Sequence, residues 1–176
     1  SRGLGDVYKR QGQFVPNVTL RLASGGYIGG GLYHSQNLEG ALATLPGARI
    51  VCPSFADDAA GLLRTSIRSR GFTLFIEPKS LYNSVEAATI VPDDFEVPFG
   101  KARIRREGSD LSIITYGNTT HFCLNVAERL EKEGGWSVEV IDIRSLIPLD
   151  KETIYKSVKK TSNCLLYTSP SPRDRG

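Results

Sequence analysis

Apolar and polar residues follow one another along the chain in two distinct patterns. Residues 18–23 (VTLRLA) alternate with the period of a strand, and residues 49–52 and 73–76 are short apolar runs typical of buried strands. Between those two runs, apolar side chains recur at helical spacing at Ala59, Leu62, Leu63 and Ile67. This strand–helix–strand order predicts a parallel sheet covered by helices.

Turn and capping residues mark the ends of the predicted helices. Residues 37–44 (NLEGALAT) suit a short helix, which a turn at Pro46 and Gly47 would close. Ser54 and Asp57 have the spacing of a capping box, so we expect the next helix to begin at Ser54.

A second series of strands and helices follows residues 77–106, which contain three prolines and no strong periodicity. Residues 111–116 and 138–143 are predicted strands, and the helix between them is expected to end at the glycine pair 134–135. The apolar stripe of that helix consists of Cys123, Val126, Ala127 and Leu130. The chain is therefore predicted to be an α/β protein of two units joined by an extended connection.

The last predicted helix begins after Asp150, which is a good N-cap residue, and runs to Thr161. Ile154 and Val158 are expected to face the core. One strand precedes the first loop, and the natural sequence is expected to stop where another strand would follow. Both sheets are therefore predicted to be incomplete.

The two ends of the chain look foreign to the rest. Residues 1–11 (SRGLGDVYKRQ) and 164–174 (CLLYTSPSPRD) can be back-translated into DNA strings that are reverse complements over almost their whole length. Both strings spell the transposase mosaic-end adapter of shotgun sequencing libraries. We therefore predict that residues 1–11 and 164–176 are translated adapter and that about 12–163 is an internal fragment of a natural protein.

Without the two end segments, the charge and the cysteine content of the protein are different. The formal net charge is +3, and the charged residues of the two end segments account for all of it. A natural segment near zero charge predicts neither a nucleic-acid nor a membrane partner, and no apolar run reaches the roughly 20 residues that span a bilayer. Without Cys164, the remaining Cys52 and Cys123 look like core residues of a protein from a reducing compartment. Any strand formed by Leu165 and Leu166 would be accidental.

The strongest candidate for chemistry is the glycine-rich run GGYIGGGLYHSQ at residues 25–36, which contains His34, one of only two histidines. Glycine allows the backbone to approach a ligand closely. A histidine titrates near neutral pH and can therefore act as an acid or a base. Taken alone, the run is also compatible with a surface loop that carries an incidental histidine.

Other polar residues are weaker candidates. His121 lies at the start of a predicted helix, which favours a helix-end role over catalysis. Glu77, Lys79 and Tyr82 allow two interpretations: they form a buried polar contact at the domain junction, or Glu77 and Lys79 form a solvated pair.

Seven motifs occur in an order that resembles the beta subunits of 2-oxo acid dehydrogenase complexes, the thiamine-diphosphate-dependent decarboxylating component. They are LYHSQ (32–36), LPGARIVCPS (45–54), DAAGLL (58–63), FIEPKSLY (75–82), VPFGKA (97–102), DLSIITYG (110–117) and VIDIRSLIPLD (140–150). The pairing of LYHSQ with EPK-x-LY is most similar to the branched-chain members. Pyruvate- and acetoin-type members, and versions with fused alpha and beta parts, are close alternatives.

The resemblance implies a fold and a domain order. Residues 12–82 would be the later half of a transketolase-like pyrimidine-binding domain, and residues 83–107 the interdomain connection. Residues 108–163 would be the start of a transketolase C-terminal domain. Both would be incomplete α/β units with parallel sheets.

The resemblance also implies an activity, oxidative decarboxylation of a branched-chain 2-oxo acid and transfer of the acyl group to lipoyl. His34 matches the active-site histidine of the family. Opening of the lipoyl disulfide develops a thiolate, so a positioned proton donor would accelerate that step by roughly 100- to 10,000-fold. The fragment alone is expected to be inactive, because the acidic residue that activates the cofactor in the family would precede Gly12.

Cofactors and partners follow from the same resemblance. Thiamine diphosphate and magnesium would be held largely by missing parts and by an alpha subunit, in a heterotetramer or as a fused part, and a lipoyl-bearing acyltransferase would receive the acyl group. We expect a cytoplasmic protein if the source is bacterial, or a mitochondrial-matrix protein if it is eukaryotic. Carbon transfer of the transketolase or deoxyxylulose-phosphate-synthase type is an alternative function, and a non-catalytic α/β binding module is another.

Family members can hold a monovalent cation between the first strand and the end of the long helix that follows. By position, Val18, Thr19 and the backbone at Ser66 would supply oxygen ligands for potassium. The family's Asp and Asn a little further on are replaced here by Ser69 and Gly71, so this site is a hypothesis.

Overall fold

The computed structural model describes residues 17–166, which form two sheets with helices packed on them. The first sheet has the order β1-β3-β2-β7, and its first three strands run parallel. The elements of this unit are β1 (Val18–Ser24), α1 (Glu39–Leu42), β2 (Ala48–Val51), α2 (Ala56–Arg68) and β3 (Phe72–Pro78).

The second sheet has the order β4-β6-β5-β8. Strands β5, β6 and β8 are parallel, and β4 is antiparallel to β6. Its elements are β4 (Arg103–Arg106), β5 (Leu111–Thr115), α3 (Thr119–Gly134), β6 (Val138–Asp142), α4 (Lys151–Thr161) and β8 (Cys164–Leu166). The short β7 (Ser145–Ile147) lies between β6 and α4 in sequence but pairs antiparallel with β2 of the first sheet.

Each sheet is covered by the helices that its sequence pattern predicts. Leu62 of α2 is fully buried against Val51 and Phe75, while Ala127 of α3 packs on Val138 of the second sheet. The predicted α/β fold with mainly parallel sheets is therefore confirmed. No helix in residues 17–166 is both long and apolar enough to cross a membrane.

The start of α2 was predicted wrongly. The helix begins at Ala56 with Phe55 as its N-cap residue, and the side chain of Phe55 makes no capping hydrogen bond. The Ser54 hydroxyl instead shares a hydrogen bond of 3.0 Å with the Thr120 hydroxyl of the second unit, so a long-range contact replaces the local cap. The backbone N–H of Asp57 donates to the Thr89 hydroxyl at 2.8 Å.

Other local expectations also need correction. The helix predicted over residues 37–44 is only the four residues of α1. Ile67 and Val126 belong to the predicted apolar stripes, yet they are 67% and 45% exposed. By contrast, Ile154 and Val158 pack on the second core as expected.

Strands β4 and β8 lie in segments that were not predicted to form part of the sheets. Strand β4 is part of residues 83–107, the predicted connection, and it forms one edge of the second sheet. Strand β8 lies in the predicted adapter 164–176 and pairs with β5, although all three of its residues are exposed. The other predicted adapter segment, 1–11, lies outside the described residues.

A buried cluster of charges joins the two units. Arg144 follows β6 with a left-handed φ of 53° and is 7% exposed. Its guanidinium donates to the Asp58 carboxylate of α2 at 2.7 Å and to the carbonyl of Lys101 at 2.9 Å. Arg105 bridges Asp58 and Asp142, both of which are fully buried. Burial raises the pKa of Asp142, and the Arg105 charge opposes that shift.

Candidate active site

The glycine-rich loop at residues 25–36 leaves the carboxyl end of β1 and returns to it. The N–H of Gly25 donates to the carbonyl of Gln36 at 2.9 Å, which closes the base of the loop. Next to this closure, the buried Ser24 hydroxyl donates to the Glu39 carboxylate of α1 at 3.0 Å. Carboxyl ends of parallel strands are the usual place for ligands in open α/β sheets, so the loop lies where a binding site is expected.

His34 is the last residue of a 3-10 turn, Leu32–His34, within this loop, and it is exposed. The N–H of His34 and the hydroxyl of Ser35 both donate to the carbonyl of Gly31, at 3.3 and 2.8 Å. A β-carbon at Gly30 would lie 2.8 Å from the β-carbon of His34. Glycine at this position therefore allows the histidine to pack against the loop backbone.

Lys79 reaches the loop from the neighbouring strand. It begins a 3-10 turn, Lys79–Leu81, directly after β3, and it is half-buried. Its ammonium donates to the backbone carbonyl of His34. The contact joins two segments that are 45 residues apart in sequence.

Glu77 makes the contact with Tyr82 that the first interpretation includes. Lys79 bonds to another residue, so the interpretation of Glu77 and Lys79 as a solvated pair is wrong. The Glu77 carboxylate accepts from the guanidinium of Arg21 on β1 and, at 2.7 Å, from the hydroxyl of Tyr82. Burial, followed by the hydrogen bond to Glu77, raises the pKa of Tyr82 to about 12. Arg21 was not predicted as a site residue, although it is a charged position within the strand pattern 18–23.

A cavity of about 360 Å³ lies beside Glu77 and Tyr82. It is enclosed by α2, by one face of β1 and β3, and by the segment that follows β3. Its walls are mainly apolar and include Phe55, Ala59 and Phe75, with Arg21 and Glu77 on one side. The cavity is therefore bounded by Arg21, Glu77 and Tyr82 rather than by the loop at residues 25–36.

The junction between the units holds the other histidine and a cysteine. His121 contacts the carbonyl of Ser54 through Nε2 at 2.8 Å, and its ring lies 4.6 Å from that of Phe55. This contact gives His121 the structural role that its helix-end position favours. Burial, with a smaller effect of Glu39, raises the pKa of Cys52 far above its ordinary value, so its thiol stays protonated.

The residues of the hypothetical potassium site lie at one end of the first unit. Val18 and Thr19 begin β1, and Ser66 is buried in the last turn of α2, where its hydroxyl donates to the Leu62 carbonyl at 2.7 Å. Within residues 17–166 no group of three or more His, Cys, Asp or Glu side chains could hold a metal ion.

Two family models match the two units in order. The transketolase pyrimidine-binding domain matches residues 7–85, and the transketolase C-terminal domain matches residues 100–173. The chain carries these two transketolase domains. Both matches extend into the segments predicted to be adapter, and the expected order of a pyrimidine-binding domain and a C-terminal domain is confirmed.

The curated proteins that the chain resembles include dehydrogenase beta subunits. The 2-oxoisovalerate dehydrogenase subunit beta of Bacillus subtilis is 42% identical over 161 residues, which are 92% of this chain and 49% of that protein. The mitochondrial subunit of the same name from Chaetomium thermophilum is 38% identical, over 88% of this chain and 33% of that protein. The pyruvate dehydrogenase E1 component subunit beta of Bacillus subtilis is 40% identical, over 90% of this chain and 48% of that protein. The chain thus spans half or less of the length of these relatives.

A solved transketolase-like structure has the same fold. It is described as a split gene transketolase, inactive beta4 tetramer, and it superposes with a TM-score of 0.70 at 22% sequence identity. The superposition covers 88% of this chain and 49% of that one.

Proposed function

We propose that the chain is part of the beta subunit of a thiamine-diphosphate-dependent 2-oxo acid dehydrogenase and that His34 donates a proton during acyl transfer to lipoyl. The observation that carries this proposal is the placement of His34. It is exposed in a loop closed by hydrogen bonds at the carboxyl end of β1, in a chain 42% identical to a 2-oxoisovalerate dehydrogenase beta subunit.

The described residues fit one wall of a cofactor site. The backbone of the loop at residues 25–36 can approach a ring closely because its glycines carry no side chain. Magnesium has no cluster of ligands within residues 17–166, so the diphosphate and its metal would be held by an alpha subunit or a fused alpha part. When bound, thiamine diphosphate supplies the electron sink for decarboxylation. His34 would then hold a proton on its ring and deliver it to the sulfur released from lipoyl.

A branched-chain 2-oxo acid is the proposed substrate. The 2-oxoisovalerate and pyruvate relatives from Bacillus subtilis are 42% and 40% identical, so support for the branched-chain choice comes from LYHSQ together with EPK-x-LY. Pyruvate or acetoin is the second candidate. Transketolase-type carbon transfer differs in requiring no lipoyl acceptor. The proposed compartment is the bacterial cytoplasm or the mitochondrial matrix, where a lipoyl-bearing acyltransferase would be the partner.

The test is to recover the full reading frame from overlapping reads and to express it with its alpha partner. We expect decarboxylation of 3-methyl-2-oxobutanoate that depends on thiamine diphosphate, faster than that of pyruvate. His34→Ala should slow acyl transfer to a lipoyl domain by roughly 100- to 10,000-fold. Unchanged acyl transfer in that variant would refute the role of His34. The 176-residue chain alone should show no turnover.

The proposed potassium site has its own test. Oxygen atoms of Val18, Thr19 and Ser66 would bind the ion, and binding to the folded state alone raises stability. Potassium should therefore raise the unfolding temperature of the full protein above its value in sodium. Equal unfolding temperatures in the two salts would argue against the site.

A further inference from the structure

Lys79 makes a contact that its sequence position did not predict. The Glu77 carboxylate, two residues away, is already occupied by Arg21 and Tyr82. The Lys79 ammonium is instead directed at the backbone carbonyl of His34. Its charge therefore acts on the loop rather than on a neighbouring carboxylate.

The Lys79 contact fixes the loop at His34, away from the hydrogen bond that closes the base of the loop. The base is closed between Gly25 and Gln36, whereas His34 ends a turn of three residues. Carbonyls at the end of such a turn lack partners within it. A hydrogen bond from a charged donor is roughly twice as strong as a neutral one, so Lys79 is suited to fix the carbonyl of His34.

Lys79 is itself held in place. It follows β3 directly, and the N–H of Tyr82 donates to its carbonyl at 3.3 Å. The Tyr82 hydroxyl is bound in turn to Glu77. The ammonium therefore projects from a turn that is attached to the sheet at both ends.

We propose that Lys79 is a positioning residue for His34. By holding the backbone carbonyl, it fixes where the imidazole stands above the carboxyl end of the sheet. This inference rests on the proposed role of His34 in acyl transfer. A misplacement of about 1 Å can cost on the order of 100-fold in rate, so loss of this one contact would be measurable.

The test uses the full beta chain assembled with its alpha partner, in Lys79→Met and Lys79→Arg variants. Lys156→Met is the matched control, because Lys156 is an exposed lysine on α4. Two rates are measured: decarboxylation coupled to an artificial electron acceptor, and acyl transfer to a lipoyl domain. Lys79→Met should slow acyl transfer by about 10- to 100-fold and leave decarboxylation within about twofold of the control. Lys79→Arg, which keeps a charged donor, should restore most of the rate.

Hydrogen exchange separates this inference from the proposed function. Amides of residues 31–36 should exchange faster in Lys79→Met than in Lys156→Met, whether or not the assembly is active. An inactive wild-type assembly would refute the proposed function, and the exchange comparison would still decide whether Lys79 orders the loop. Unchanged exchange, or equal slowing of both reactions in Lys79→Met, would refute the positioning role.

Discussion

Gly108 and Gly30 are positions where one missing β-carbon shapes the structure around it. A β-carbon at Gly108 would lie 2.2 Å from the backbone nitrogen of Glu139 on β6. At Gly30 the obstacle is the side chain of His34, at 2.8 Å. Backbone in a sheet cannot move aside as a side chain on an exposed loop can, so the two positions should differ in their effects.

Replacing Gly108 by alanine should therefore destabilise the second unit. Overpacking of this kind costs about 1–3 kcal/mol and sometimes more, and here the clash is with backbone. Urea unfolding measures the loss. Gly40→Ala is the control, because a β-carbon there meets no atom of residues 17–166 within 4 Å apart from its chain neighbours and the backbone of its own helix, and alanine favours helix by up to about 1 kcal/mol. Equal stability of the two variants would contradict the clash.

The partners of polar side chains were the least predictable part of the candidate site. His34 could be found from the loop sequence because glycines and a histidine mark it locally. Arg21 and Lys79 could not, because their partners are 56 and 45 residues away. Parallel pairing of β1 with β3 brings Arg21 beside Phe75 and places Glu77 two residues further along, and sequence alone does not give that register.

At the scale of elements, the starts of α2 and α4 show when a local capping pattern predicts a helix start correctly. Asp150 was predicted as the N-cap of α4, and its carboxylate does accept from the N–H of Thr153 at 3.1 Å. Ser54 has an equally good local pattern, but its hydroxyl bonds to Thr120 across the junction. Capping patterns predict a helix start when no distant group competes for the cap residue.

The cap of α4 should make stability depend on pH. Burial raises the pKa of Asp150, but hydrogen bonds from Ala102 and Thr153 outweigh it, so the net shift is downward. A lowered folded-state pKa means that the carboxylate stabilises the fold above its unfolded pKa of about 3.9 and that this contribution is lost as pH falls through the folded value.

Asp150→Asn should therefore be less stable than the parent at pH 7 by about 1 kcal/mol, because asparagine has one acceptor oxygen where the charged carboxylate has two for Ala102 and Thr153. The difference should shrink as the pH falls well below about 3.9, because the parent carboxyl is then protonated too. Urea unfolding of both proteins across this pH range measures it. A difference that stays constant down to the lowest pH would show that the charge of Asp150 does not contribute.

At the scale of the whole molecule, the buried charges around Asp58 couple the two units. Asp58 accepts from Arg105 and Arg144, which both belong to the second unit. The ring of Phe55 lies under Arg105 at 3.9 Å. The sequence predicts two α/β units but not this coupling, because a charged residue that is buried and one that is exposed look the same in a sequence.

Asp58→Ala should cost about 3–5 kcal/mol, since it leaves buried guanidinium groups without their carboxylate. Arg129→Ala is the control, because the Arg129–Glu133 pair is 72% and 66% exposed and should contribute less than about 1 kcal/mol. Fluorescence of Trp136, the one tryptophan, reports on the second unit, and circular dichroism reports on both. The two signals should coincide during unfolding of the parent and separate in Asp58→Ala; coincident curves with little loss would argue against the coupling.

Strand β7 has a consequence for how the molecule would respond to a break in its chain. It follows β6 in sequence, yet its backbone pairs with β2 of the other sheet. The segment between the units carries Val85 and Ile90, which are 84% and 92% exposed. A protease that cuts this segment would leave two pieces that remain associated through the pairing of β7 with β2. The two pieces should therefore elute as one species in size-exclusion chromatography. The molecule is thus a natural starting point for split-protein complementation, in which two separately made halves recover one fold.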